Sequence, residues 1–152
     1  MSLEWKMVDA PYRVTLYGFS RLRRPEEAVG AVAMELLGRL WEEILGKHVT
    51  NRGLSHLIYD ADGTVFAGVE LADGPAEEGQ PAGGMSRRTL SLGAHAYCVH
   101  RGPYAGLGAT YDALLAAVAE AGRSCRKPLL EKYGHWQEDE SQLETEIYFS
   151  LT

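Results

Sequence analysis

Two stretches of apolar residues at helical spacing, each followed by two strand-like runs, constrain this chain more than any other feature. The first carries Val29, Val32, Ala33, Leu36, Leu37, Leu40, Trp41, Ile44 and Leu45. That unbroken three-and-four spacing marks one face of a helix. Pro25 suits its first turn, Glu26 and Glu27 the positive end of its dipole, and Gly46 its end. The second stretch carries Leu107, Tyr111, Leu114, Leu115 and Val118, opened by Gly102-Pro103 and closed by Gly122. Runs rich in β-branched and aromatic residues precede the helices, at 13–20 and at about 87–100. After the first helix come 56–59 and 64–71, joined by the turn chemistry of Asp60-Ala61-Asp62-Gly63. After the second come 129–135 and 143–151, with polar 137–141 between them.

The order is strand, helix, strand, strand, and then the same again. Paired antiparallel strands with segregated helices predict an α+β fold. The expectation is a single domain over 1–152, with repeat one at about 13–71, repeat two at about 87–151 and an exposed loop at 72–86. Both helices are expected on one face of an antiparallel sheet, the repeats around a pseudo-twofold axis. A ligand cleft between repeats follows, since pockets favour such junctions.

Charge narrows the partners. A formal net charge of -6 over 152 residues argues against broad phosphate binding, so no direct nucleic-acid contact is expected. Arg21, Arg23 and Arg24 read as a solvated loop before the first helix. No run approaches the roughly 20 apolar residues of a membrane helix, and the first residues lack an apolar signal core. Cys98 and Cys125 read as reduced thiols, so a cytoplasmic protein is expected. Histidines 48, 56, 95, 100 and 135 lack ligand spacing, so neither metal nor cofactor is expected.

The chemistry concentrates in the last third. Strand residues two apart share a face, so Glu131 points with Tyr133, and Glu146 with Tyr148. A carboxylate among aromatic rings can grip an organic cation or position a water. Ile147, Phe149 and Leu151 should face the helices, leaving Glu146 and Tyr148 for the cleft or for solvent. Glu70 ends the hairpin strand of the first repeat and is the corresponding carboxylate there. Tyr97, His100 and Tyr104 surround the Gly102-Pro103 break, and Tyr111 projects from the second helix. Trp136 follows Tyr133 in a loop-like stretch and offers a stacking surface, whereas Trp41 reads as core. Cation attraction to one ring is worth about 0.5–2 kcal/mol, so useful affinity needs several rings and a carboxylate.

His100-Arg101-Gly102-Pro103-Tyr104, Leu129-Leu130-Glu131-Lys132-Tyr133 and Thr145-Glu146-Ile147-Tyr148-Phe149-Ser150-Leu151 occur in the order that resembles the GyrI-like effector-binding domain of multidrug-sensing regulators. The resemblance is specific over 90–152 and weaker over 13–71. It implies a twofold repeat of strand-helix-strand-strand and a cleft for lipophilic cations, met by a buried glutamate at the position of Glu131 with Tyr133 beside it. Some stand-alone bacterial relatives are implied to hydrolyse cyclopropane-bearing toxins, and another branch to shield DNA gyrase. No helix-turn-helix precedes residue 13, so direct DNA binding is not expected.

The leading expectation is a binder of a hydrophobic, cationic or aromatic small molecule. Glu131, Tyr133, Tyr104, Tyr148, Trp136, Tyr97, Tyr111 and His100 are the ligand-binding candidates. The alternative is a hydrolase of electrophilic toxins, with Glu131, Glu70 and Glu146 as catalytic candidates. A gyrase-protecting protein module is the third reading, leaving a protein partner open. The expected state is a monomer or a weak homodimer.

Overall fold

A computed structural model describes residues 3–75 and 84–152. Its elements are β1 (Trp5–Val8), β2 (Tyr12–Leu22), α1 (Val29–Gly46), β3 (His56–Tyr59), β4 (Thr64–Val69), β5 (Ser86–Leu92), β6 (His95–Arg101), α2 (Leu107–Glu120), β7 (Cys125–Tyr133) and β8 (Glu144–Leu151). Short 3-10 turns at Tyr104–Gly106 and Glu140–Gln142 precede α2 and β8. Positions 76–83 of the expected loop lie outside the described residues.

All strands join one antiparallel sheet in the order β1-β6-β8-β7-β3-β4-β2-β5. Read inward from either flank, β2-β4-β3 and β6-β8-β7 follow the same connection order and meet at the β3–β7 pair. The fold class is the expected α+β with two helices on one face. The apolar stripe of α1 packs Val32, Leu36, Leu40 and Ile44 onto Leu57, Val65, Ala67 and Val69. Leu114 and Val118 of α2 pack onto Cys98, Leu129, Ile147 and Leu151. Each helix thus covers its own group of strands, and the seam between them runs over β3 and β7.

The opposite face holds a second core of Val14, Leu16, Ile58, Phe66, Leu90, Leu92, Leu130 and Tyr148. The sheet curls around it: Tyr12 of β2 stacks on Tyr148 of β8 at 4.5 Å although β4, β3 and β7 lie between their strands. Close strand approach also demands a glycine here. A Cβ added at Gly18 would lie 1.7 Å from the Ala67 carbonyl oxygen.

Several elements differ from the sequence expectation. The run at 87–100 is two strands, because the chain turns at Gly93-Ala94 and crosses from β5 at one flank to β6 near the other. α1 starts at Val29 rather than near Pro25. Glu27 is taken up instead by the Arg21 guanidinium and by the Arg24 N–H at 2.9 Å, which holds the preceding segment in a turn. β7 begins at Cys125, with a register shift before Leu129. The short β1, paired with β6, was not expected. Among the described residues no helix is long and apolar enough to cross a membrane.

Candidate ligand-binding site

Alternation along β7 sends Glu131 and Tyr133 to the helix face, and the pairing of Glu131 with both Leu57 and Ile147 puts it at the middle of the sheet. Its residue is 4% exposed. Burying a carboxylate is costly unless partners replace water. Here phenols replace it. Oε1 accepts the hydroxyls of Tyr133 at 2.6 Å and Tyr59 at 3.2 Å, and Oε2 accepts the hydroxyl of Tyr111. Among the described residues no lysine, arginine or histidine forms an ion pair with it. Burial first, and then the charge of Glu131, push Tyr59, Tyr111 and Tyr133 far above the ordinary phenol range. The three therefore remain protonated donors, and the carboxyl group is hydrogen-bonded without a counter-ion among the described residues.

A cavity of about 690 Å³ opens above this cluster, between the two helices. Ala33, Leu37 and Trp41 of α1 form one wall, and Leu107 and Tyr111 of α2 the other. Leu57, Tyr59, Glu131 and Tyr133 form the floor. Gly30 and Gly108 give the helices a bare backbone there, and a Cβ added at either meets nothing within 4 Å. At the mouth stand Met34, Tyr104 and Trp136, the last 71% exposed. Tyr104 meets the Tyr133 ring edge-on at 5.3 Å. The lining is mostly apolar and aromatic, with Ser55 and His135 beside it, around one buried carboxyl group, a surface that suits a lipophilic cation.

Five expected site residues therefore come together: Glu131, Tyr133, Tyr104, Tyr111 and Trp136. The others sit elsewhere. Tyr148 belongs to the core of the opposite face and packs against Tyr12, with its phenol pushed up by burial. Tyr97 is on that face too and donates to Glu146 Oε1 at 2.6 Å, while Lys132 approaches Glu146 Oε2 at 3.9 Å. Pairing explains this, since Glu146 lies opposite Lys132 and Tyr148 opposite Leu130, the residues of β7 that flank Glu131 and point away from it. Glu70 faces Arg52 at 3.1 Å and His56 at 3.8 Å, again outside the cavity. His100 is buried, bonded to Thr110 and to the Pro103 carbonyl.

Sequence reasoning missed Tyr59, and it assigned Trp41 to the core alone. Trp41 packs on the core and also borders the cavity, its indole N–H donating to Ser55 Oγ at 2.9 Å. Alternation with Leu57 signals that Tyr59 faces the helices. Its reach to Glu131 depends on the β3–β7 pairing, which no local pattern encodes.

A family model described as the GyrI-like small molecule binding domain matches residues 34–152. No relative was found among curated proteins. Solved structures share the fold. The C-terminal domain of EcmrR is 16% identical with a TM-score of 0.68, covering 100% of this chain and 99% of that one. SAV2435, solved bound to tetraphenylphosphonium, is 16% identical with a TM-score of 0.62, covering 100% of this chain and 94% of that one. A protein from Listeria innocua described as a hydrolase is 10% identical with a TM-score of 0.61, covering 99% of this chain and 93% of that one. At these identities the likeness speaks to fold alone.

Proposed function

Since the chain belongs to the GyrI-like small-molecule-binding family, we propose that it binds a lipophilic cation in the cavity over β3 and β7, with 1–152 acting as one binding domain. The observation that carries this reading is Glu131, a buried carboxylate held by three phenols and lacking a cation among the described residues. A ligand cation supplies the missing charge in a weakly screened place, and apolar burial against the walls adds affinity. Tyr133, Tyr104, Tyr111 and Tyr59 offer ring faces and edges, with Trp136 at the mouth. The tetraphenylphosphonium held by SAV2435 is consistent with such a ligand.

Three phenol donors occupy most of the acceptor capacity of Glu131 and leave little of it to activate a water. Their raised pKa values also make them weak acids for opening a strained ring. Binding is therefore better supported than hydrolysis, and nothing as specific supports a gyrase-protecting surface. Cys98 and Cys125 are free thiols, in keeping with a cytoplasmic setting.

The test is a titration with tetraphenylphosphonium and with neutral triphenylphosphine oxide, followed by tryptophan fluorescence. Trp41 and Trp136 both line the cavity and report on its filling. The cation should saturate the signal at concentrations where the neutral compound does not. Equal affinities for the two would remove the charge role, and absence of binding by a wider panel of lipophilic cations would reject the reading.

A further inference from the structure

We infer that His100 is a positioning residue that holds one whole wall of this cavity. The inference rests on the binding reading for its purpose, and on separate geometry for its mechanism.

The wall in question is the segment that leads into α2. Tyr104, Leu107, Gly108 and Tyr111 all line the cavity. Yet from Pro103 to Ala113 no residue is buried, and the first core anchor of α2 is Leu114. The 3-10 turn at Tyr104–Gly106 contributes no buried residue, and the start of α2 has no side-chain cap. Apolar packing here is limited to the partly buried Leu107 and Tyr111 against the core and to Tyr104 on the Tyr133 ring, so polar ties are needed to fix the stretch.

The imidazole of His100 supplies two of them. It projects from the end of β6 and is 7% exposed. Nε2 lies 2.8 Å from the Pro103 carbonyl oxygen, and Nδ1 lies 2.7 Å from Thr110 Oγ1. A carbonyl can only accept, so Nε2 carries the proton. In the neutral ring the lone pair on Nδ1 then accepts the Thr110 hydroxyl. One ring thus ties the beginning of this weakly packed stretch to the first turn of α2, one residue before Tyr111. Tyr111 is itself a donor to Glu131, so the brace reaches the carboxylate through that phenol.

The backbone is shaped around this ring. Gly106 crosses beside it, and a Cβ there would sit 3.1 Å from Cε1 and 3.5 Å from Nε2. Gly102 turns the chain at a φ of 116°, a left-handed conformation that favours glycine. Its N–H donates to the Leu143 carbonyl at 2.8 Å, which ties the turn to the segment before β8. Beyond the partial packing of Leu107 and Tyr111, the polar support of the wall comes from the histidine and from the Tyr111–Glu131 bond.

The test combines amide hydrogen exchange with tetraphenylphosphonium titration of the full chain. His100→Leu keeps much of the volume and removes both bonds. His100→Gln keeps an amide that can donate to Pro103 and accept from Thr110. In His100→Leu the amides of 104–113 should exchange about tenfold faster or more, with 114–120 nearly unchanged, and cation affinity should fall by about tenfold. His100→Gln should recover most of both. A purely structural histidine would instead lose protection throughout α2 and β6, and glutamine would not rescue it selectively. Should His100→Leu fail to fold, Thr110→Val removes the Nδ1 bond alone and should still loosen 104–113. Unchanged local exchange in whichever of these variants folds overturns the brace. If the wild type binds neither tetraphenylphosphonium nor the wider panel of lipophilic cations, the binding reading falls and exchange alone decides the brace.

Discussion

The two faces of the central sheet each hold a carboxylate among tyrosines, drawn from the same Glu-x-Tyr spacing on neighbouring strands. On the helix face, Glu131 is buried beneath the cavity and accepts from Tyr59, Tyr111 and Tyr133, with no cation partner among the described residues. On the opposite face, Glu146 accepts from Tyr97 alone among the described residues and has Lys132 at 3.9 Å, with its side chain 32% exposed. The residue types are alike. What differs is strand parity, which decides the face, and the presence of a resident cation. A carboxylate already answered by lysine and water gains little from a ligand cation, whereas a buried one without such an answer gains much.

The strongest way to break this comparison is to neutralise each carboxylate in turn. Glu131→Gln should cost about 3–4 kcal/mol of cation affinity, several hundredfold, because a desolvated charge pair is lost. Glu146→Gln should change the same affinity by less than about twofold, as expected for an exposed pair. Calorimetric titration with tetraphenylphosphonium measures both. Equal losses would mean that the two faces do not differ as described. In the absence of ligand, Glu131→Gln should melt no lower than the wild type, since it removes a buried charge that lacks a counter-ion. A large drop in melting temperature would instead show the carboxylate to be a structural hub.

The opposite face should also carry its own pH signature. His56 points to that side, 1% exposed, with Nδ1 bonded to the Leu54 carbonyl at 3.1 Å. Burial, and then the charge of Lys132, push its pKa down to about 4. The unfolded chain binds this proton more readily than the folded one, so stability is full above the ordinary histidine value of about 6.5 and is lost as pH falls from there to about 4. The loss should approach about 3 kcal/mol at the bottom of that window. Urea unfolding of the wild type and His56→Gln at a series of pH values isolates it as the difference in slope. Parallel slopes would mean that the imidazole titrates as freely when folded as when unfolded.

Much of this was legible in sequence, and the exceptions share a cause. Both helices and the β3–β4 hairpin announce themselves through periodicity and turn residues, which are local. The placing of Glu131 and Tyr133 together was legible because alternation puts them on one face, which is the face that carries the cavity. Tyr59 was not, because its reach to Glu131 depends on β3 lying beside β7, a contact between residues 72 apart in the chain. Tyr97, Tyr148 and Glu146 carry the right chemistry but lie on the face that the sheet curls around, and curling is a property of the whole sheet. The start of α1 was misplaced because Arg21, on the preceding strand, takes the glutamate expected to face the helix dipole.

Cavity volume gives a smaller effect than charge. Gly108→Leu places a side chain where an added Cβ meets nothing within 4 Å. It should raise stability by about 0.5–1 kcal/mol through helix propensity. It should also weaken tetraphenylphosphonium by roughly tenfold, because a side chain then occupies ligand space. A thermal melt and the same titration measure the two opposite shifts. If stability rises and affinity holds, the cation binds away from the first turn of α2.

The smallest effect separates the two faces at single-hydroxyl resolution. Tyr59→Phe removes the longest of the three bonds to Glu131, at 3.2 Å, and keeps the ring that borders the cavity. Tyr97→Phe removes the 2.6 Å bond to Glu146 on the other side. Losing a donor from Glu131 leaves more of its charge unanswered, so the carboxylate attracts a cation more strongly once bound. Against this, the buried oxygen is less well solvated without ligand, which costs about 1 kcal/mol of stability. Tyr59→Phe should therefore bind the cation two- to threefold tighter while melting lower, a shift of about 0.5 kcal/mol in affinity. Tyr97→Phe should leave affinity alone. Weaker binding by Tyr59→Phe would mean that its hydroxyl contacts the ligand directly, and that the phenol ring around Glu131 opens when the site fills.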